Sequence, residues 1–129
     1  MNFVKLILRT SPYKIYQYKS SSDAKMLLLG HFLITDVGCS STGTYQDWAL
    51  NDPLDMIMSG NCTYLEKDEN FIVLSDLHPE VKRPTEAKMT HQQFVQLLDD
   101  WQEKVCKHKP KEVTITYDGN QFTIETSDV

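Results

Sequence analysis

The densest chemical possibility in the sequence is Gly38-Cys39-Ser40-Ser41-Thr42-Gly43-Thr44, which follows an apolar segment and precedes a short helical pattern. Its glycines have the spacing of GxxxxGK[ST], in which backbone amides cradle phosphates and the lysine reaches the β and γ groups. Thr44 stands in the lysine's place, so the segment reads as a small-residue loop. It is no nucleophile elbow either, because Gly-x-Ser-x-Gly needs glycine where Thr42 stands. Cys39 as a nucleophile would need a histidine base brought to it by the fold, and His31, His78, His91 and His108 supply four candidates. His91 and His108 fall in the first and last turns of one expected helix, and His31 sits inside an apolar run, so each has a folding reason to be where it is. No histidine or cysteine pair shows the short spacing of a zinc site. The residues therefore point to no catalytic group, no metal and no cofactor.

The carboxylates form a population more than a pair. Asp47, Asp52 and Asp55 surround Trp48 and Pro53, and Glu66, Asp68 and Glu69 crowd an expected hairpin tip. Such runs are commonly a solvated acidic surface. With Tyr45 and Trp48 as aromatic anchors they also have the composition of a contact surface for a basic protein. The candidate partner-binding set is thus Tyr45, Asp47, Trp48, Asp52, Asp55, Glu66, Asp68 and Glu69.

The elements that must position these groups are clearest near the C-terminus. Thr90-His91-Gln92-Gln93 matches a capping box, and Phe94, Leu97, Leu98, Trp101 and Val105 lay one apolar stripe along a helix of about 91–108. Lys104, Lys107, His108 and Lys109 suit its carbonyl end, and Pro110 stops it. Val113, Ile115 and Tyr117, then Phe122 and Ile124, alternate around Asp118-Gly119, which predicts a β-hairpin over about 112–126. A two-residue turn there would pair Tyr117 with Asn120, Ile115 with Phe122 and Val113 with Ile124.

Further upstream, 2–9 and 13–19 read as two strands, and 62–65 and 71–74 as a second hairpin. Met26 to Ile34 fits a buried strand, with a short helix as the alternative, and Tyr45, Trp48 and Ala49 predict a short helix near 44–52. Residues 76–88, with Pro79 and Pro84, read as an exposed connector. The expected architecture is one α+β domain over 1–129, mainly an antiparallel sheet of about five to six strands with the long helix and hairpin at its end.

A chain of 129 residues can bury a core without staples. The net charge of -5 argues against duplex nucleic acid, which needs clustered Lys and Arg. No apolar run is long enough to span a membrane, and the N-terminal run lacks a signal-peptide cleavage site. That also sets aside Asn61-Cys62-Thr63 as a glycosylation site. Three cysteines, Cys39, Cys62 and Cys106, without a CxxC pair suggest reduced thiols and a cytoplasmic protein.

Phe94-x-x-Leu97-Leu98-x-x-Trp101, then Lys109-Pro110-Lys111-Glu112-Val113 and the alternating hairpin, resembles small bacterial immunity proteins of polymorphic toxin and contact-dependent growth inhibition systems. The likeness covers about the last 40 residues, and no family site residue transfers to it. It implies a cytoplasmic, acidic, non-enzymatic protein that covers the active site of a toxin domain, often a basic nuclease. Two other expectations stand beside it: an adaptor or structural subunit that binds through an edge strand, and a small thiol-dependent enzyme built on Cys39.

Overall fold

The computed structural model describes residues 2–10, 12–61, 63–76 and 85–128. Among these the chain forms eight strands in two four-stranded antiparallel sheets, with three helices. The architecture is α+β as expected, but the strands are more numerous than five or six and divide between two sheets. The first sheet contains β1 (Asn2–Arg9), β2 (Ile15–Ser21), β7 (Glu112–Tyr117) and β8 (Phe122–Ser127), in the order β2-β1-β7-β8. The second is a meander, β3 (Met58–Ser59), β4 (Thr63–Lys67), β5 (Phe71–Asp76) and β6 (Glu86–Thr90). Residues 86–88, expected as the end of an exposed connector, belong instead to the strand Glu86–Thr90, whose Met89 is buried. Pro79, Pro84, His78 and Cys62, with the expectations placed on them, lie outside the described residues.

Helix α1 (Ala24–His31) corrects the expected strand over 26–34. Asp23 caps it, its carboxylate accepting from the Met26 amide at 2.9 Å. The winding then widens to a π-type turn over Phe32–Val37. This helix touches β1 and β2 of one sheet and β5 and β6 of the other. With sheets against it on both sides, Met26, Leu28, Leu29, Phe32, Leu33 and Val37 are all buried, which erases the one-sided periodicity that marks a surface helix. Gly30 permits the approach: a Cβ there would meet Val4 Cγ2 at 2.8 Å.

Helix α3 (His91–Asp100) starts where expected, but the helix of about 91–108 is not one regular α-helix: it widens to π-type winding over Trp101–Cys106. Thr90 Oγ1 accepts from Gln93 N at 3.0 Å and Gln93 Oε1 accepts from Thr90 N at 2.8 Å, completing the capping box. Phe94, Leu97, Leu98, Trp101 and Val105 are buried in one core cluster with Val113, Ile115 and Ile124 of the hairpin. The hairpin forms with a different register. Tyr117 pairs with Phe122, Ile115 with Ile124 and Val113 with Thr126, around a four-residue loop. Asp118 Oδ1 accepts from Asn120 N at 2.8 Å and Gln121 N at 2.9 Å, so its carboxylate folds the loop into a wider turn than Asp-Gly alone would make. The shift is two residues, an even number, so every side chain keeps the expected face.

Candidate partner-binding surface

Helix α2 (Thr42–Asn51) carries the first group of candidate residues. It is fastened to α3 by Thr42 Oγ1 donating to Gln102 Oε1 at 3.0 Å and by Gln46 Nε2 donating to Val95 O at 3.1 Å and Asp99 Oδ1 at 2.7 Å. Tyr45 and Trp48 lie on the fastened side. They are 4% and 2% exposed. The Tyr45 ring meets Phe32 edge-on at 5.1 Å and the Trp48 ring meets Phe94 at 6.2 Å, while Trp48 Nε1 donates to Met56 O at 2.9 Å. Both are core residues, and their expected role as exposed anchors is corrected.

Aliphatic side chains take that place in the solvent. Leu50, Leu54, Met56 and Ile57 are all 46% exposed or more, within the stretch that also carries Asp47, Asp52 and Asp55. Asp47 and Asp55 are exposed and Asp52 is half-buried. Asp47 Oδ1 accepts from Asn51 Nδ2 at 2.6 Å one turn further along the helix. The stretch is held in shape by its backbone, with Met56 N donating to Pro53 O at 3.0 Å and the Trp48 indole fixing Met56 O.

Beneath it lies Lys67, a residue the sequence presents as part of a polar tip. Lys67 is 8% exposed, and its ammonium donates to Trp48 O at 2.5 Å, Asp52 O at 2.7 Å and Ala49 O at 3.4 Å. These are carbonyls at the end of α2, where the helix dipole is negative, and Trp48 O also takes the Asp52 amide at 3.3 Å. Its charge also lies 5.0 Å from the Trp48 ring centroid. The ammonium therefore binds the end of β4 to the end of α2.

The second acidic group is not brought together with the first as one patch. Strand alternation sends Glu66 to the face opposite Lys67. There Glu66 sits beside Tyr64, whose hydroxyl pKa is raised by desolvation and then by the Glu66 charge. Asp68 Oδ1 accepts from Asn70 N and Phe71 N, both at 2.8 Å, and these amides hold its carboxyl below the usual range with help from Lys88 and His91. Asp68 thus shapes the β4–β5 turn, and Glu69 is exposed at that turn.

Other polar groups have structural duties. Asp36 accepts from Asn61 N at 2.8 Å and from the Thr63 hydroxyl. Burial and then the Asp36 charge raise the Tyr45 hydroxyl. His31 stacks on Tyr18 at 5.9 Å, and His91 Nε2 lies 2.8 Å from Asp68 O. Cys39 and Cys106 are joined as a disulfide, Cα atoms 5.5 Å apart, which corrects the expectation of reduced thiols. Long-range cysteine pairing has no signature in spacing, so the odd count misled. Among the described residues no group of three His, Cys, Asp or Glu side chains could hold a metal ion, and no helix is long and apolar enough to cross a membrane. No family model, no curated protein and no solved structure matches the chain.

Proposed function

We propose that this chain is a protein-binding domain, and specifically an immunity protein that covers the active site of a basic toxin domain such as a nuclease. The observation that carries this reading is the stretch from Asp47 to Ile57, where four exposed aliphatic side chains alternate with three aspartates on a backbone fixed by Trp48 and Lys67. Apolar groups held rigid in water cost little ordering entropy when a partner covers them, and the aspartates would steer a cationic surface into place. The acidic net charge of -5 favours such a partner over nucleic acid, and the C-terminal resemblance supplies its kind. The role is non-enzymatic, needs no cofactor and would be exercised in the cytoplasm.

The test is protection. Cells expressing the toxic C-terminal domain encoded beside this gene should survive when the chain is co-expressed, and the charge reversals Asp47→Lys, Asp52→Lys and Asp55→Lys together should abolish survival and the salt dependence of binding. A gene neighbourhood without a toxin, or full protection by the triple variant, would sink this assignment.

A second reading, an adaptor bound through a sheet edge, is favoured by β2, an edge strand, and the turn before it, which expose Tyr13, Ile15 and Tyr18. In that case the charge reversals leave binding intact, while Tyr18→Pro, which removes an amide on the outer edge of β2, abolishes it.

A further inference from the structure

The corner where Cys39 meets Cys106 is built differently from a buried structural staple. Cys39 is exposed and Cys106 half-buried. The Lys109 ammonium lies 3.4 Å from Cys39 Sγ. It is placed there by an uncommon backbone, since Lys109 has φ of 49°, the left-handed region that side chains other than glycine, asparagine and aspartate seldom adopt. Its charge also lies 6.0 Å from the Tyr16 ring, and the next residue, Pro110, accepts the Tyr16 hydroxyl through its carbonyl at 2.5 Å. Cys106 Sγ lies 3.6 Å from Gly38 O, which also takes the Trp101 indole at 2.7 Å. Two carboxylates from neighbouring segments are engaged elsewhere. Asp128 accepts the Lys111 amide, and Glu103 pairs with Lys107 at 2.7 Å.

From this geometry we propose that Cys39 is a thiol-exchange site for small thiols and disulfides, with Cys106 as its resolving partner and Lys109 as the group that keeps Cys39 reactive. It is independent of any protein partner. In the opening direction an external thiolate attacks the exposed Cys39 Sγ. The bond to Cys106 breaks, its electron pair leaves on Cys106 Sγ, which takes a proton from water, and Cys39 carries the mixed disulfide. A second thiolate attacks the outer sulfur of that adduct and releases Cys39 as a thiolate beside the Lys109 ammonium, so two external thiols become one disulfide. In closing, the Cys39 thiolate attacks a small disulfide and expels one thiolate, and Cys106 then attacks Cys39 Sγ and expels the second. An adjacent cation favours thiolate over thiol, and an exposed sulfur poised beside a resolving cysteine is the arrangement that exchanges fastest.

The consequence for the chain is that the link between the loop before α2 and the end of α3 opens in a reducing compartment. A cytoplasmic protein and a disulfide are then two states of one molecule.

The probe is glutathione, reduced for opening and oxidised for closing, with Cys62→Ser in every variant so that the third thiol is silent. Acid-quenched peptide mapping should find the mixed disulfide on Cys39. Lys109→Met should slow closing at neutral pH by about threefold, a tenfold loss of thiolate partly offset by greater nucleophilicity, and Lys109→Arg should restore it. An adduct on Cys106, or an unchanged rate in folded Lys109→Met, overturns the proposal. Should Lys109→Met fail to fold, the salt dependence of the unsubstituted-Lys109 protein decides. Added salt should slow its reaction with the anionic probe, and a flat response overturns the proposal.

Discussion

Lys67 shows how much one side chain can carry. Its ammonium satisfies three carbonyls at the end of α2, so Lys67→Met, similar in length but without donors, should leave buried acceptors unpaired and cost about 1 to 3 kcal/mol in urea unfolding. The alternation that buries it was legible: Thr63, Leu65 and Lys67 share the inward face of β4. The charge concealed it, because a lysine is ordinarily assigned to water. Tyr45 and Trp48 are the converse case. Their spacing with Ala49 already placed three apolar residues on one helical face, which is a core signal, whereas Leu50 falls off that face and is 63% exposed. Tyr16 gives a pH test at the same scale. Burial and then the Asp128 charge push its hydroxyl from 10.0 up to about 12. A raised value means the fold favours the neutral phenol. That contribution is complete below pH 10 and lost as pH rises toward 12, so Tyr16→Phe should flatten the alkaline fall in stability over that window.

Among the elements, α3 was readable because a capping box and a one-sided stripe coincide, while α1 was not, because sheets on both sides demand apolar residues all round. Its buried glycine gives the matching test. Gly30→Ala would set a Cβ 2.8 Å from Val4 Cγ2 in the packed core, and despite alanine's better helix propensity the variant should lose about 1 to 3 kcal/mol by thermal or urea unfolding. The β7–β8 loop depends on the charged form of Asp118. The amides of Gln121 and Asn120 lower its pKa from 3.8. A lowered value means stabilisation present above that pH and lost as pH falls through the folded value. Asp118→Ala should therefore destabilise at neutral pH, and its difference from the parent protein should vanish in strong acid. The same carboxylate explains why the hairpin register moved by two: Asp-Gly predicts a tight turn only when the aspartate does not recruit the next two amides for itself.

At the scale of the molecule, the Cys39–Cys106 bond closes a sequence separation of 67 residues, and loop-closure entropy assigns such a link about 4 kcal/mol. Reduction should lower the unfolding midpoint accordingly. A Cys39→Ser, Cys106→Ser variant should unfold where the reduced protein does. Trp101→Ala, which removes a buried ring and a bond to the Gly38 carbonyl, should cost about 3 to 5 kcal/mol by the same assay. The two-sheet division was not legible, because it depends on pairings between residues far apart in the sequence. The register of β1 makes that distance concrete, matching Asn2 with Tyr117 and Phe3 with Thr116. During synthesis β1 can close at once on β2, the next strand made, while its other neighbour, β7, is made only after the whole second sheet. Until β7 follows, the edge from Phe3 to Ile7 is an open template, so a chain stalled before Glu112 carries an unpaired strand able to recruit another copy.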